Sequence, residues 1–490
     1  MRKARGTTEL GILLMAALLL LSLISPAHVK PVLADPGILA WSVINTPSSQ
    51  NNVVVSSSEI NTMAIGSDGV TFYAVDIPDF NISGSHGRVH KSTDGGITWQ
   101  TELSNQLIAA GALMPVWNIA VARDNVNFVV AITDSTGGPV PGGPTQVYIS
   151  TNGGAEWSVA VNGLSLNAGE FISSVDVSVT YGGTNRDIAV GTRDGAGAGR
   201  IFVMRAPGFG NWNVQNGLGI PPSVGWPAGG GDVVALKFSP SYPSDSSLVV
   251  VSSEAMNTRL HIGFHDTTAN FTNWDVLAGY PVQLWDANFA GTSPLATQII
   301  TADLELPSDF SGQDFGLCRF YVSTDVNIPT VQFGVYRVDY DIPRRINPQT
   351  SGRISSIAYS GTNAGGLLLA GEVTANPILG LVNVWRTSDP MAGTPTWQLS
   401  DDSKSPTGGG NSGYANAQVA WNPDGTRAYC GTSSANPSVG GTGAIPGQWP
   451  FAWLTSFALD ESAFSVSPYA LAYSRLLTAF DKPQDSSIGN

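Results

Sequence analysis

Short apolar runs separated by turn-forming residues recur along the chain in a fixed order. One type reads "TMAIG" from Thr62, "NIAVA" from Asn118, "VDVSV" from Val175, "VALKFSP" from Val234, "ITADLEL" from Ile300, "SSIAYS" from Ser355 and "AQVAWNP" from Ala417. A second reads "TFYAVD" from Thr71, "FVVAITD" from Phe128, "DIAVGT" from Asp187, "LVVVSSE" from Leu248, "CRFYVST" from Cys318, "LLLAGEV" from Leu367 and "RAYCGTS" from Arg427. A third begins at Arg88, Gln146, Arg200, Arg259, Phe333 and Val382, and a fourth segment carries Trp99, Trp157, Trp212, Trp274 or Trp397. β-branched and aromatic residues fill the runs, and Gly, Asn, Asp and Pro fill the gaps, which is the signature of strands and turns. Runs such as "LVVV" and "LLLA" do not alternate, as expected of strands buried on both faces.

A period of roughly sixty residues built from four short strands is the plan of a radial repeat. The pattern predicts an all-β fold, a seven-bladed β-propeller of four-stranded antiparallel blades. The seventh unit is irregular. Its third strand is expected within Ser456–Ser467, and no Trp strand follows. Near the N-terminus, "ILAWSVINTP" places Trp41 as Trp157 stands in "AEWSVAVNG". The expectation is a ring closed by this N-terminal strand, which hides an edge of the last blade; the alternative is an ordinary leader strand.

The first 34 residues read as a signal peptide. Arg2, Lys3 and Arg5 precede the apolar run Leu10–Ile24, and small residues precede a cut at Ala34|Asp35. The apolar run is shorter than the ~20 residues a span needs, so cleavage is favoured over a retained anchor. The domain reading is signal peptide 1–34, propeller 35–467 and C-terminal tail 468–490. The formal net charge of -14 disfavours nucleic acid and anionic membranes as partners. Cys318 and Cys430 fall in non-adjacent units and are expected as two unpaired buried thiols.

Two segments share a stricter pattern. "KSTDGGITWQ" holds Ser92, Asp94, Gly96 and Trp99, and "ISTNGGAEWS" holds Ser150, Asn152, Gly154 and Trp157. The motif resembles the Asp-box, or BNR repeat, of bacterial neuraminidases, sortilin-type receptors, photosystem assembly factors and xyloglucanases. The physical reading is a hairpin staple. The carboxylate or amide and the hydroxyl accept backbone N–H groups, Gly permits positive φ, and Trp packs between blades. The resemblance implies that this hairpin lies on the face opposite the functional sites of the neuraminidases.

Neuraminidase chemistry needs three convergent arginines, a Tyr–Glu pair and an acid/base Asp. In that family the first arginine precedes the first box, whereas here no arginine lies between Asp35 and Gly87. "YDIPRRINP" from Tyr340 has only a passing likeness to the family's arginine motif. The loop carboxylates Asp76, Asp79, Asp232, Asp286, Asp401 and Asp402 read as solvated. No cofactor or metal is expected. Loops carrying Trp226, Asp232, Tyr280, Trp285, Asp286, Tyr414 and Trp449 are the candidate binding face, with loop packing as the competing explanation. The sequence therefore predicts an exported, non-catalytic, cell-surface protein acting by binding or as part of an S-layer-like coat. Its partner would be a protein or glycan at the envelope, self-assembly included. The rival is an extracytoplasmic glycan-processing hydrolase of the sialidase or glycosidase type.

Overall fold

A computed structural model of the chain describes residues 42–43, 48–49, 52–53, 60–76, 88–100, 103–134, 144–206, 210–216, 230–254, 257–286, 301–325, 334–348, 353–374, 383–399, 415–433 and 478–480. The segments read as signal peptide, and the expected third strand at Ser456–Ser467, lie outside them.

Two short N-terminal pieces come first: β1 (Ser42–Val43), then a ribbon of β2 (Ser48–Ser49) and β3 (Asn52–Val53). The first blade pairs β4 (Ile60–Ile65), β5 (Phe72–Asp76) and β6 (Val89–Ser92), with a bridge from Lys91 to Gln100 supplying the fourth position. Helix α1 (Leu103–Ala109) follows and leads to the second blade: β7 (Leu113–Ala122), β8 (Asn125–Asp134), β9 (Pro144–Ser150) and β10 (Ser158–Val159). The third is β11 (Phe171–Val177), β12 (Arg186–Arg193), β13 (Ile201–Ala206) and β14 (Asn213–Val214). The fourth is β15 (Asp232–Phe238), β16 (Ser247–Glu254), β17 (Asn257–Asp266) and β18 (Phe271–Trp274), with a short α2 (Tyr242–Asp245) and an added β19 (Val282–Gln283). The fifth is β20 (Thr301–Glu305), β21 (Arg319–Asp325), β22 (Gly334–Asp339) and β23 (Ile342–Arg345). Within each blade, neighbouring strands are antiparallel.

The remaining strands are β24 (Arg353–Thr362), β25 (Gly365–Thr374), β26 (Val384–Thr387), β27 (Trp397–Leu399), β28 (Ala415–Trp421), β29 (Ala428–Ser433) and β30 (Thr478–Phe480). Here the sequence reading needs correction. It expects seven separate blades, whereas the described strands form six blade sheets. The last two expected units are one eight-stranded sheet, because β25 runs on past its own blade and pairs with β28 at Val373↔Asn416 and Thr374↔Ala415. In that sheet β30 pairs with β29 at Cys430↔Thr478, and β1 pairs with β30 at Ser42↔Ala479. Thr478–Phe480 falls in the segment read as tail. Trp41 lies outside the described residues.

The first strands β4, β7, β11, β15, β20, β24 and β28 touch in succession, and β28 touches β4, so they form a closed ring: the fold is a β-propeller. Apolar side chains fill the gaps between sheets. Val130 and Ile132 pack with Ile188 and Val190 between the second and third blades, and Val249 and Val251 with Phe320 and Val322 between the fourth and fifth. Phe72 of the first blade meets Tyr429 of the last sheet edge-on at 4.6 Å. Both thiols, Cys318 and Cys430, are free and buried; burial pushes Cys318 up to about 12.

A repeated device sets the spacing at the ring. β4, β11, β15 and β24 each carry an irregularity near their third residue. Ser173 Oγ donates to Val233 O of the next blade at 2.6 Å, and Ser356 Oγ to Ala417 O at 2.6 Å. The second strand beside each of these serines carries a glycine where the next blade's first strand comes closest. A Cβ on Gly191 would lie 2.2 Å from Val233 Cγ1, and one on Gly371 would lie 2.2 Å from Ala417 O. In such a packed seam an added methyl group forces backbone movement. Gly371→Ala should therefore cost about 1–3 kcal/mol in chemical denaturation. Gly393→Ala, where nothing lies within 4 Å, should stay within about 0.5 kcal/mol of the parent. Equal effects at the two sites would show that the seam is not close-packed.

Candidate functional site

The two Ser-x-Asp/Asn-x-Gly-x-x-Trp segments are hairpins between third and fourth strands, and their polar groups are consumed locally. Ser92 Oγ donates to Asp94 Oδ1 at 2.8 Å and accepts Gly96 N–H at 2.8 Å. Asp94 Oδ1 accepts the N–H groups of Ile97 (3.1 Å) and Thr98 (2.8 Å), and Oδ2 accepts the Thr98 hydroxyl. Slight burial works against ionisation of Asp94, but these bonds prevail and hold its carboxyl below the ordinary value. Trp99 Nε1 closes the turn on Gly96 O at 3.1 Å. The second hairpin repeats this with Ser150, Asn152 and Gly154, and Trp157 Nε1 donates to Gly154 O at 3.0 Å. Positive φ at Gly95, Gly96, Gly153 and Gly154 makes the turn possible. Lys91 Nζ reaches across from the first blade to Gly153 O at 2.8 Å.

A third turn of the same kind escaped the sequence pattern. Thr387 Oγ1 donates to Asp389 Oδ1 at 2.6 Å, and Asp389 accepts Thr396 N–H before Trp397. Extra residues between Asp389 and Trp397 hide the spacing; the signal that survives is Thr-x-Asp directly after a third strand. Trp212, Trp274 and Trp397 bond differently from Trp99 and Trp157. Their Nε1 groups donate to Ala160 O, Gln215 O and Ile346 O of the preceding blade.

Of the residues expected on a binding face, Asp232, Tyr280, Trp285 and Asp286 are described. Trp226, Tyr414 and Trp449 lie outside the described residues. Asp232 is fully buried at the start of β15, accepting N–H from Asp194 and Gly195 at 3.0 Å each. Its oxygen is 3.8 Å from Arg193 Nε, and burial pushes that guanidinium down to about 10 against the pull of Asp232. Asp286 accepts Arg345 N–H at 3.0 Å. Tyr280 donates to Tyr340 O at 2.6 Å and packs edge-on against the Tyr340 ring, beside the hairpin of the fifth blade. Trp285 is half-buried. Asp76 ends β5, whereas Asp79, Asp401 and Asp402 lie outside the described residues.

One arrangement has the look of a nucleophile triad: Ser252 Oγ lies 2.9 Å from His261 Nε2, and His261 Nδ1 lies 2.7 Å from Asp275 Oδ2. A nucleophile must reach a substrate. Ser252 is 2% exposed and His261 0%, so the three residues link the second, third and fourth strands of one blade rather than a site.

Among the described residues, the first strands wall a central channel of about 750 Å³. Its charges lie on one side. Going round from the second to the fifth blade, Arg123, Asp176, Lys237 and Asp303 alternate in sign along the wall, and Glu305 adds a second carboxylate to the fifth blade. The sides from β4, β24 and β28 present Thr62, Ser355, Tyr359, Ser360, Gln418 and Asn422. Lys237 Nζ is bound to Glu305 Oε1 at 2.6 Å. Asp176 Oδ2 accepts Phe238 N–H at 2.8 Å, and Asp303 accepts N–H from Leu304 (2.8 Å) and Ile357 (3.0 Å). These two carboxylates thus tie neighbouring blades together. Burial pushes Asp303 up to about 6; Lys237 opposes the rise and Glu305 adds to it. Burial raises Asp176 likewise, opposed by Arg123.

A carboxyl whose folded value is raised contributes stability below its unfolded value near 4, and that contribution is lost as pH rises through about 6. Asp303→Asn removes the titration. Between pH 4 and 7.5 its stability relative to the parent should shift in its own favour by about 2 kcal/mol, read by urea denaturation. A pH-independent difference would show that Asp303 carries no such load.

No protein-family model matches the chain, and no curated protein matches it. Among solved structures, one described as "Structure of Dos1 propeller" is similar over 76% of this chain and 75% of its own, at 13% identity and a TM-score of 0.44.

Proposed function

We propose that this is an exported, non-catalytic propeller of the Asp-box type that acts at the cell surface, binding a protein or glycan or joining a surface coat. The reading is carried by the fate of the motif's polar groups. Ser92, Asp94, Ser150 and Asn152 spend their bonds on the turns that hold them. The motif then builds the ring, and recognition is left to the channel and the surfaces around its mouths. In this reading the N-terminal strand closes the last sheet, which the pairing of β1 with β30 supports. Residues 1–34 act as the export signal.

The hydrolase reading draws on one observation: a carboxyl raised to about 6 faces a cavity with Glu305 and Asp176 nearby, as a general acid would. Against it, both Asp303 oxygens already accept backbone N–H, and Glu305 is bound to Lys237.

Envelope fractionation of the native organism, with a glycan array on the purified protein, decides between them. Recovery in the surface fraction with binding and no turnover of arrayed glycans is the expected result. Cytosolic recovery would sink the surface assignment. Glycan turnover abolished by Asp303→Asn, with the fold retained, would establish the hydrolase.

A further inference from the structure

We propose that the charged side of the central channel is a binding site for a small organic cation carrying a primary ammonium or guanidinium group. The proposal rests on the reading of the channel as the binding cavity and names its ligand class.

Three observations lead there. The first is size: about 750 Å³ falls within the range of small-molecule pockets. The second is charge. Arg193, also on the wall, is committed to Asp232. Arg123 and Lys237 then face Asp176, Asp303 and Glu305, leaving the site one positive charge short when all are ionised. The nearest ammonium does not make up the difference for Asp303, because Lys237 Nζ is held by Glu305 at 2.6 Å. The third is a buried hydroxyl on the wall that is left unbonded. Ser174 lies two positions from Asp176 on β11, lines the channel, is 8% exposed and has a hydroxyl with no hydrogen-bond partner.

The carboxylates can accept more. An ionised carboxylate offers about four lone-pair positions. Two on Asp303 are used by backbone N–H groups, as is one on Asp176. The other charged and titratable groups packed around Asp303 are accounted for. Lys237 comes from β15, Glu305 from its own strand, and β24 presents the Ile357 N–H. On β24, Arg353 pairs with Asp325, and the Tyr359 hydroxyl donates to Thr362 O. An entering ammonium would meet the Asp303 or the Asp176 carboxylate on this wall, and low-dielectric surroundings would strengthen the contact.

The test uses 1,4-diaminobutane, with the neutral isostere 1,4-butanediol as control, titrated calorimetrically into the full-length protein. Diaminobutane should bind at pH 7.5 and the diol should not. Binding should weaken about tenfold at pH 5, where a carboxyl near 6 is mostly protonated. Asp303→Asn should weaken binding at pH 7.5 by about 10-fold or more, the scale of one charged hydrogen bond. Asp176→Asn offers a second variant, and circular dichroism melts confirm that each is folded. No diaminobutane binding up to 10-mM-scale concentrations, equal binding of the diol, or undiminished affinity in both folded variants would overturn the site. Failure here with binding retained on the glycan array would remove the cation site and leave the surface-binding reading standing.

Discussion

The close approach of neighbouring first strands is the constraint on which the rest depends. Where Gly371 meets Ala417 O, and Gly191 meets Val233, there is no room for a single carbon. A sheet brought this near to its neighbour must satisfy its own backbone across the seam. The chain does so with serine hydroxyls at the strand irregularities, Ser173 to Val233 O and Ser356 to Ala417 O. Further down β11, and on β20, carboxylates take over: Asp176 receives Phe238 N–H and Asp303 receives Ile357 N–H. Ring geometry, channel width and channel chemistry are set by the same contacts.

The outer rim solves the same problem by different means. Each fourth strand is short, so a side chain must hold it in place. Trp99 and Trp157 bond within their own hairpins. Trp212, Trp274 and Trp397 reach back to the preceding blade. An indole serves both purposes because it buries a large apolar surface while its N–H finds a partner. In the first two blades Lys91 supplies the link between neighbours that the indole supplies elsewhere.

The strand repeat was legible because burial on both faces leaves a plain record in the sequence. The first- and second-strand runs from Thr62 to Arg427 all overlap observed strands. What escaped was information that no local pattern carries. The fourth strand of the fifth blade, β23, has no Trp and contains Pro343, which an outer edge tolerates because one side of the strand needs no ladder bonds. Helix α1 fills the space under the first two blades through Leu103 and Leu107, a tertiary demand rather than a periodic one. Joining of the last units into a single sheet depends on two residue pairs at the end of β25. The channel carboxylates were passed over for a related reason. Asp176, Asp303 and Glu305 sit within strands, where the sequence does not tell a channel-facing carboxylate from a solvated one.

An acidic protein can place most carboxylates in water at no cost. Asp303 and Asp176 instead stand where desolvation opposes ionisation. Between the first two blades neutral side chains make the wall contact: Thr62 Oγ1 donates to Asn118 Oδ1 at 3.5 Å, and Asn118 Oδ1 accepts Ile119 N–H of its own strand. The neutral version shows that the ring can be built without buried charge. The charged version, confined to one side of the channel and alternating with Arg123 and Lys237, costs stability that the neutral alternative would not. That cost falls inside the ring, on the wall formed by β11, β15 and β20, where each carboxylate also takes a backbone N–H of the following blade.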